Sequence, residues 1–578
     1  MKVKLARSAG FCMGVRRAME IVLSEAHKNN EKPLYTYGPL IHNRQVLALL
    51  ESKGVKVLKD PESAGQSKVV IRAHGIPPQL RSKLRSGKAE IIDATCPKVA
   101  RVQAIIKYYT KKGYKGIIVG DADHPEVVGL KGYGGQKAWV VCDESELSSI
   151  PIDAEKVFVV AQTTQNAKRY EEIVKKIKER APDALIFDTI CEATHQRQEE
   201  VRSLAKQVDA MVVVGGYESG NTKRLVEIAR STGKPAFHVE TPHDLDTKEL
   251  EKMEVIGVTA GASTPNWLIK DVVTALQKIQ GKKETLLGRT IRKAIKFLVL
   301  SNVAAAAGAA SLSYATNYFL RGSSNLVYPL ITLLYIYAMH VLNRFLDRTA
   351  SAYNEPERAS FLMRHGKALA VVGAISTLGA IGLSLQVGLP TFFTLLVLSL
   401  LGIVYSLPII PKGVPFGHRY RKIKDIPGSK TISEALAWTA LIVMAPLLEG
   451  TIKPVAATAI VGACVFLLAF VRVGIFDILQ LQGDLIAGSE TLPIVIGEKR
   501  TLFLLKVLLV VGAALVSVAG IFSLTKPTYL LMLVPLGNFA LCIWIYQRGW
   551  RVPGLTFEAL VEANFILLGI LVAIRIYI

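Results

Sequence analysis

Cysteine is scarce in this chain: there are six among 578 residues, and none lie close enough together to read as a pair. That excludes a secreted disulfide scaffold and fits a reducing compartment. Acidic residues are also few, with 47 Asp and Glu against 70 Lys and Arg, a formal net charge of +23. No RNA- or DNA-reading motif accompanies the basic excess, so no nucleic-acid partner is expected. The opening MKVKLARSAG has no apolar signal-like run, and the segment behind it is expected to stay in the cytosol. Long apolar runs are missing up to about Lys283, where short Val/Ile strands alternate with charged helices as in soluble α/β proteins. From about Ala294 such runs dominate, many near the 18 to 20 residues needed to cross a bilayer.

Three of the few cysteines recur in one local setting. Cys12, Cys96 and Cys191 each follow an apolar or β-branched run and open an amphipathic stretch, as in EIIDATC followed by PKVARVQAIIKYY. A thiolate at a helix N-terminus is expected to have a lowered pKa. Three such sites in one domain suit a metal cluster better than scattered thiols. Three ligands rather than four would leave one metal open to a substrate.

Polar loops follow other strand-like runs. They carry His42 and Asn43, His74, His124 and Glu126, Thr163 to Gln165, Ser219 and Asn221, and Ser263 and Thr264. Loops after parallel strands gather at one sheet edge, where ligands bind. His, Ser, Thr and Asn in Gly-rich surroundings offer a diphosphate many donors and little obstruction.

The ordered set FCMGVRRA, IHN, AHG, DATCP, HPEV, QTT, DTIC, SGN and TAGAS spans nearly all of 1–280. It resembles the 4-hydroxy-3-methylbut-2-enyl diphosphate reductase (IspH/LytB) family. The resemblance implies an α/β fold of three pseudo-equivalent modules around a central [4Fe–4S] cluster held by Cys12, Cys96 and Cys191. The reaction implied is reductive dehydroxylation of the allylic diphosphate to isopentenyl and dimethylallyl diphosphate, with ferredoxin or flavodoxin as electron donor. By the same resemblance His42, His74, His124, Ser219, Asn221 and Ser263 grip the diphosphate. Glu126, beside His124, delivers the proton as hydroxide leaves, with Thr163 relaying to it. Gly220 stands where some members carry a second Ser. A cluster that only ties the modules together is the alternative reading.

In the second half nine apolar segments are expected to form an all-α bundle of nine transmembrane helices: 297–319, 325–342, 368–387, 391–411, 432–449, 454–471, 502–524, 528–547 and 556–578. Basic residues crowd alternate loops, while the opposite side has only Arg321, Lys453 and Lys526. That bias predicts a bacterial inner-membrane protein with the first half cytoplasmic and the C-terminus outside. The expected division is 1–283, a short basic connector 284–296, and 297–578.

Two loops on the cytoplasmic side carry acids: Asn343 and Asp347 after the second segment, Asp477 and Asp484 after the sixth. Carboxylates at helical spacing on facing helices can hold Mg²⁺, and Mg²⁺ can hold a diphosphate. With YSLPII and KIKDIPGSK, these segments resemble the UbiA superfamily of intramembrane prenyltransferases. The resemblance implies ionisation of an allylic polyprenyl diphosphate and its capture by an acceptor, with Arg344, Tyr405 and Lys424 near the diphosphate. The family's acidic motifs are incomplete here, since Arg344, Ser351 and Gln480 replace aspartates. A lipid-diphosphate-binding anchor is therefore the alternative to an enzyme. Arg472 is expected to pair with Asp477 or to snorkel toward the interface.

Overall fold

Short runs rich in Val and Ile make the strands: β1 (Lys2–Leu5), β2 (Leu34–Tyr37), β3 (Val55–Leu58), β4 (Lys68–Ile71), β5 (Glu90–Asp93), β6 (Lys115–Val119), β7 (Ala138–Val141), β8 (Val157–Ala161), β9 (Leu185–Ile186), β10 (Ala210–Val214), β11 (Ala236–Val239) and β12 (Val255–Ala260). The computed structural model describes residues 2–27, 32–150, 156–279, 286–322, 325–346, 356–406, 423, 426, 428–450, 455–487, 491–522, 524–548 and 554–577. The chain divides into two units, Met1–Lys283 and Glu284–Ile578.

Every strand pairing in the first unit is parallel. The three four-stranded sheets have the orders β3-β2-β4-β5, β7-β6-β8-β9 and β11-β10-β12-β1. One pattern thus occurs three times, provided β1 counts as the last strand of the third sheet. The N-terminal strand completes a module whose other strands lie more than 200 residues downstream, with Lys2 opposite Val255 and Leu5 opposite Val258. The central strands β8 and β10 are buried at every position, as parallel strands covered on both faces must be. The unit is therefore three pseudo-equivalent α/β modules, and its functional loops leave the C-terminal ends of the strands.

The second unit is helical and apolar. Among the described residues, six helices are long and apolar enough to cross a membrane, or seven if the bent pair Lys293–Leu300 and Val303–Arg321 is one span. Leu389–Tyr405 is shorter, and Val327–Leu346, with Asn343 and Arg344 in its last turn, does not qualify. The expectation of nine spans thus finds six or seven among the described residues by length and composition, and residues 407–411 of the fourth expected segment lie outside them. Together with its core of buried apolar side chains, this marks a membrane protein. Most of the expected connector 284–296 falls in a helix, Leu286–Leu300. The sixth expected segment also runs on, as one helix Val455–Ala487, so Asp477 and Asp484 lie within it and not in a loop beyond it. Its unbroken helix-forming sequence and the packing of Val473, Ile475, Ile478 and Leu481 carry it past the apolar stretch.

Candidate active site

Module symmetry places the polar residues. His42, His124 and Ser219 each sit five residues beyond the first strand of a module, β2, β6 and β10. His74, Thr164 and Ser263 each sit three beyond the third strand, β4, β8 and β12. The cysteines follow the fourth strands, β5, β9 and β1. Each cysteine N–H donates to a carbonyl in its own module's third-strand loop: Cys96 to Ala73 (2.9 Å), Cys191 to Thr163 (2.9 Å) and Cys12 to Ala262 (3.1 Å). Cys96 and Cys191 are the residues from which helices Pro97–Lys111 and Glu192–Ala205 start, and Cys12 immediately precedes helix Met13–His27.

The thiols converge. A Cβ on Gly14 would lie 2.5 Å from the Cys96 Sγ and 4.0 Å from the Cys12 Sγ, so only glycine fits there. Cys96 departs from the expected acidity. Burial pushes its thiol up, against the N–H groups of Lys98 and Val99, and Cys12 and Cys191 push it further. A buried thiol kept protonated by its surroundings and by two neighbouring thiols calls for a cationic partner before it can serve as a thiolate. Thiolates are the ligands that iron–sulfur clusters take. The donors and the glycine-cleared space therefore fit an iron–sulfur cluster. A buried cation, Arg197, stands beside Cys12 and Cys191 and donates to the Gly10 and Ala193 carbonyls at 2.7 and 2.9 Å.

His42, His74 and His124 form a tight group, with ring centroids 5.0 to 5.7 Å apart. Burial lowers all three pKa values, that of His124 to about 4, and Arg72 acts on each in the same direction. At neutral pH the trio is uncharged. The buried His42 Nε2, His74 Nδ1 and Asn221 Nδ2 have no hydrogen-bond partner among the described residues. Ser263 Oγ lies 3.4 Å from Ser219 Oγ and donates to the His42 carbonyl at 3.3 Å. Gly220 faces the His124 ring with a Cβ allowance of 3.6 Å. The result is a pocket of donors with little charge of its own, matched to an oxyanion.

Glu126 is 1% exposed. The Thr163 N–H donates to one of its carboxylate oxygens (2.7 Å) and the Thr163 hydroxyl to the other (2.9 Å). Burial nonetheless outweighs these bonds and holds its pKa at about 7. Reading the sequence singled out neither Arg72 nor Arg224. Arg224 is 6% exposed, donates to both oxygens of Asp121 and to Gln165 Oε1, and so ties the loop after β6 to that after β8. Nothing in the sequence around an arginine announces its burial.

In the membrane unit the expected residues are less gathered. Asp347 and Lys424 lie outside the described residues. Asn343 is exposed and Arg344 half-buried. The Tyr405 hydroxyl is 3.2 Å from the Ser429 hydroxyl. Asp477 and Asp484 are buried. Asp477 accepts from Lys430 Nζ on one oxygen (3.0 Å) and from the Thr431 hydroxyl on the other (2.7 Å). A Mg²⁺ on that carboxylate would have to share it with the Lys430 ammonium. Arg472 neither pairs with Asp477 nor snorkels. It donates to Glu562 and Glu434 in the core and stacks 4.9 Å from the Trp438 ring.

Residues 3–277 match the LytB protein family, and residues 302–559 match the UbiA prenyltransferase family. The 4-hydroxy-3-methylbut-2-enyl diphosphate reductase of Alkaliphilus oremlandii is 42% identical over 281 residues, which are 48% of this chain and 100% of that one. The solved E-1-hydroxy-2-methyl-but-2-enyl-4-diphosphate reductase from Plasmodium falciparum is 30% identical, covers 49% of this chain and 93% of its own, and gives a TM-score of 0.46. A UbiA homolog from Archaeoglobus fulgidus, solved bound to GPP and Mg²⁺, is 17% identical over 48% of this chain and 99% of its own, with a TM-score of 0.36. Through its N-terminal half the chain belongs to the 4-hydroxy-3-methylbut-2-enyl diphosphate reductase (LytB) family, and a UbiA prenyltransferase domain follows in the same polypeptide.

Proposed function

We propose that the N-terminal unit removes the hydroxyl of 4-hydroxy-3-methylbut-2-enyl diphosphate, consuming two electrons and two protons to give isopentenyl or dimethylallyl diphosphate and water. The observation that carries this reading is Glu126, a buried carboxyl with a pKa of about 7 and both oxygens held by Thr163, set between the histidine pocket and the thiols' loops. Cys12, Cys96 and Cys191 would hold a [4Fe–4S] cluster, which supplies electrons and an iron to polarise the departing oxygen. His42, His74, His124, Ser219, Asn221 and Ser263 donate to the diphosphate and fix the substrate. Histidines that are neutral when empty gain basicity as the dianionic group arrives, so substrate binding and proton uptake are linked. Glu126 then gives its proton to the leaving oxygen, and Thr163 keeps the carboxyl aimed and stabilises the carboxylate left behind. A small reduced carrier of the ferredoxin or flavodoxin kind is the electron source this scheme requires.

Anaerobic protein with reconstituted iron and sulfide, assayed with the allylic substrate and reduced viologen, tests the scheme. Glu126→Gln is expected to lower turnover at least a hundredfold with little change in KM, the usual weight of a positioned acid. Turnover left intact in that variant would remove Glu126 from the role.

For the membrane unit we propose transfer of an allylic polyprenyl group to a lipid-soluble acceptor, at the cytoplasmic side of a bacterial inner membrane as the loop charges favour. Its support is the UbiA family match and the buried acids of helix Val455–Ala487. Membranes supplied with labelled polyprenyl diphosphate and candidate acceptors should release diphosphate. A protein that binds the lipid and releases none is an anchor.

A further inference from the structure

Lys430 is placed where its partners are all anions. It is the second residue of helix Ser429–Thr439, which begins after Gly428. Its ammonium reaches Asp477 on helix Val455–Ala487, and Asp484 and Glu434 lie within its electrostatic reach. Glu434 is already held by Arg472. Thr431 closes the second oxygen of Asp477. The Lys430 side chain is nevertheless 40% exposed, so the ammonium is fixed from behind by a fully buried carboxylate and keeps N–H groups toward the outside. The Ser429 hydroxyl at the start of the same helix meets that of Tyr405 at 3.2 Å, and a helix N-terminus favours an anion.

Resting on the reading of this unit as a handler of allylic diphosphates, we propose that Lys430 takes the place of a divalent cation there. The diphosphate is bound by a carboxylate-anchored ammonium, and Asp477 serves as its counter-ion and not as a metal ligand. An ammonium and a metal both neutralise phosphate oxygens, but a carboxylate spent on the one is closed to the other. The incomplete acidic motifs then have a physical counterpart: with the charge built into the chain, fewer aspartates are needed to recruit it from solution.

The test uses the full-length chain in lipid nanodiscs, in a His42→Ala, His74→Ala background that removes diphosphate binding by the first unit. The probe is geranylgeranyl S-thiolodiphosphate, which does not ionise, and its Kd is read by equilibrium dialysis in EDTA and in Mg²⁺. The expected Kd values agree within about threefold. Lys430→Gln, which frees Asp477, should weaken binding in EDTA by about tenfold to a hundredfold, as loss of a charged hydrogen bond does, and should make the remaining binding depend on Mg²⁺. Lys430→Arg, which keeps the charge and the pairing, should hold affinity within a few fold. Binding that EDTA abolishes and Mg²⁺ restores overturns the proposal and leaves the prenyl-transfer reading standing, as does unchanged affinity in Lys430→Gln. No binding in either medium sinks both.

Discussion

Glu126 is held by Thr163 through both carboxylate oxygens and remains a weak acid because its surroundings are dry. Its folded pKa of about 7 lies above the ordinary 4.5, so the native state keeps a proton that the unfolded chain surrenders between these values. Stability therefore falls as pH rises through that window, by roughly 3 kcal/mol once above it. Glu126→Gln removes the titration. Thermal melts of the two proteins should diverge between about pH 5 and pH 8, with the wild type losing more. Reductase turnover should fall over the upper part of the same range as the donor loses its proton. Gly14 offers a second prediction. Its replacement by Ala sets a methyl 2.5 Å from the Cys96 sulfur, so anaerobic reconstitution should yield a protein depleted in iron and acid-labile sulfide, while circular dichroism stays close to that of the parent. Glu126 and the cysteines were legible from the sequence because each sits in a short strand–loop–helix unit whose chemistry is local. The raised pKa of Cys96 was not, since helix position says nothing of how much protein covers the sulfur.

Elements are joined by charges that no motif foretold. Arg472 on helix Val455–Ala487 reaches Glu434 on the helix that begins at Ser429 and Glu562 on Gly554–Tyr577, so one guanidinium clamps three helices. Arg472→Met leaves the buried Glu562 carboxylate without its cation and close to half-buried Glu434. The cost of such a break is about 3–5 kcal/mol, to be read as a lowered unfolding midpoint in detergent, and Glu562→Gln in the same background should recover part of it. Sequence periodicity found these helices and missed this junction, because the partners lie 38 and 90 residues away. It also ended the sixth segment too early, at the charge of Arg472, whereas the apolar window runs to Leu481 and the helix to Ala487. In the soluble unit the loops were readable singly, but their equivalence was not. It emerges only from the strand orders, where residues at the same offset from corresponding strands become His42, His124 and Ser219.

At the scale of the whole molecule, two units of nearly equal length have separate cores. The first corresponds to complete relatives such as that of Alkaliphilus oremlandii, which align over their full length. A fragment of residues 1–283 is therefore expected to fold without detergent and to take up as much iron and sulfide as the full chain. Failure to fold would make the membrane unit part of the reductase's stability. The strand β1 adds a timing constraint. Because Lys2 pairs with Val255, the third module cannot close on the ribosome until β12 has emerged, and until then Cys12 is held apart from Cys96 and Cys191, with which it is proposed to hold the cluster. By that moment the first apolar helices are already in synthesis. Metal delivery and translocon engagement thus fall in the same interval of the nascent chain's life, and a chain stalled short of β12 should show Cys12 open to alkylation.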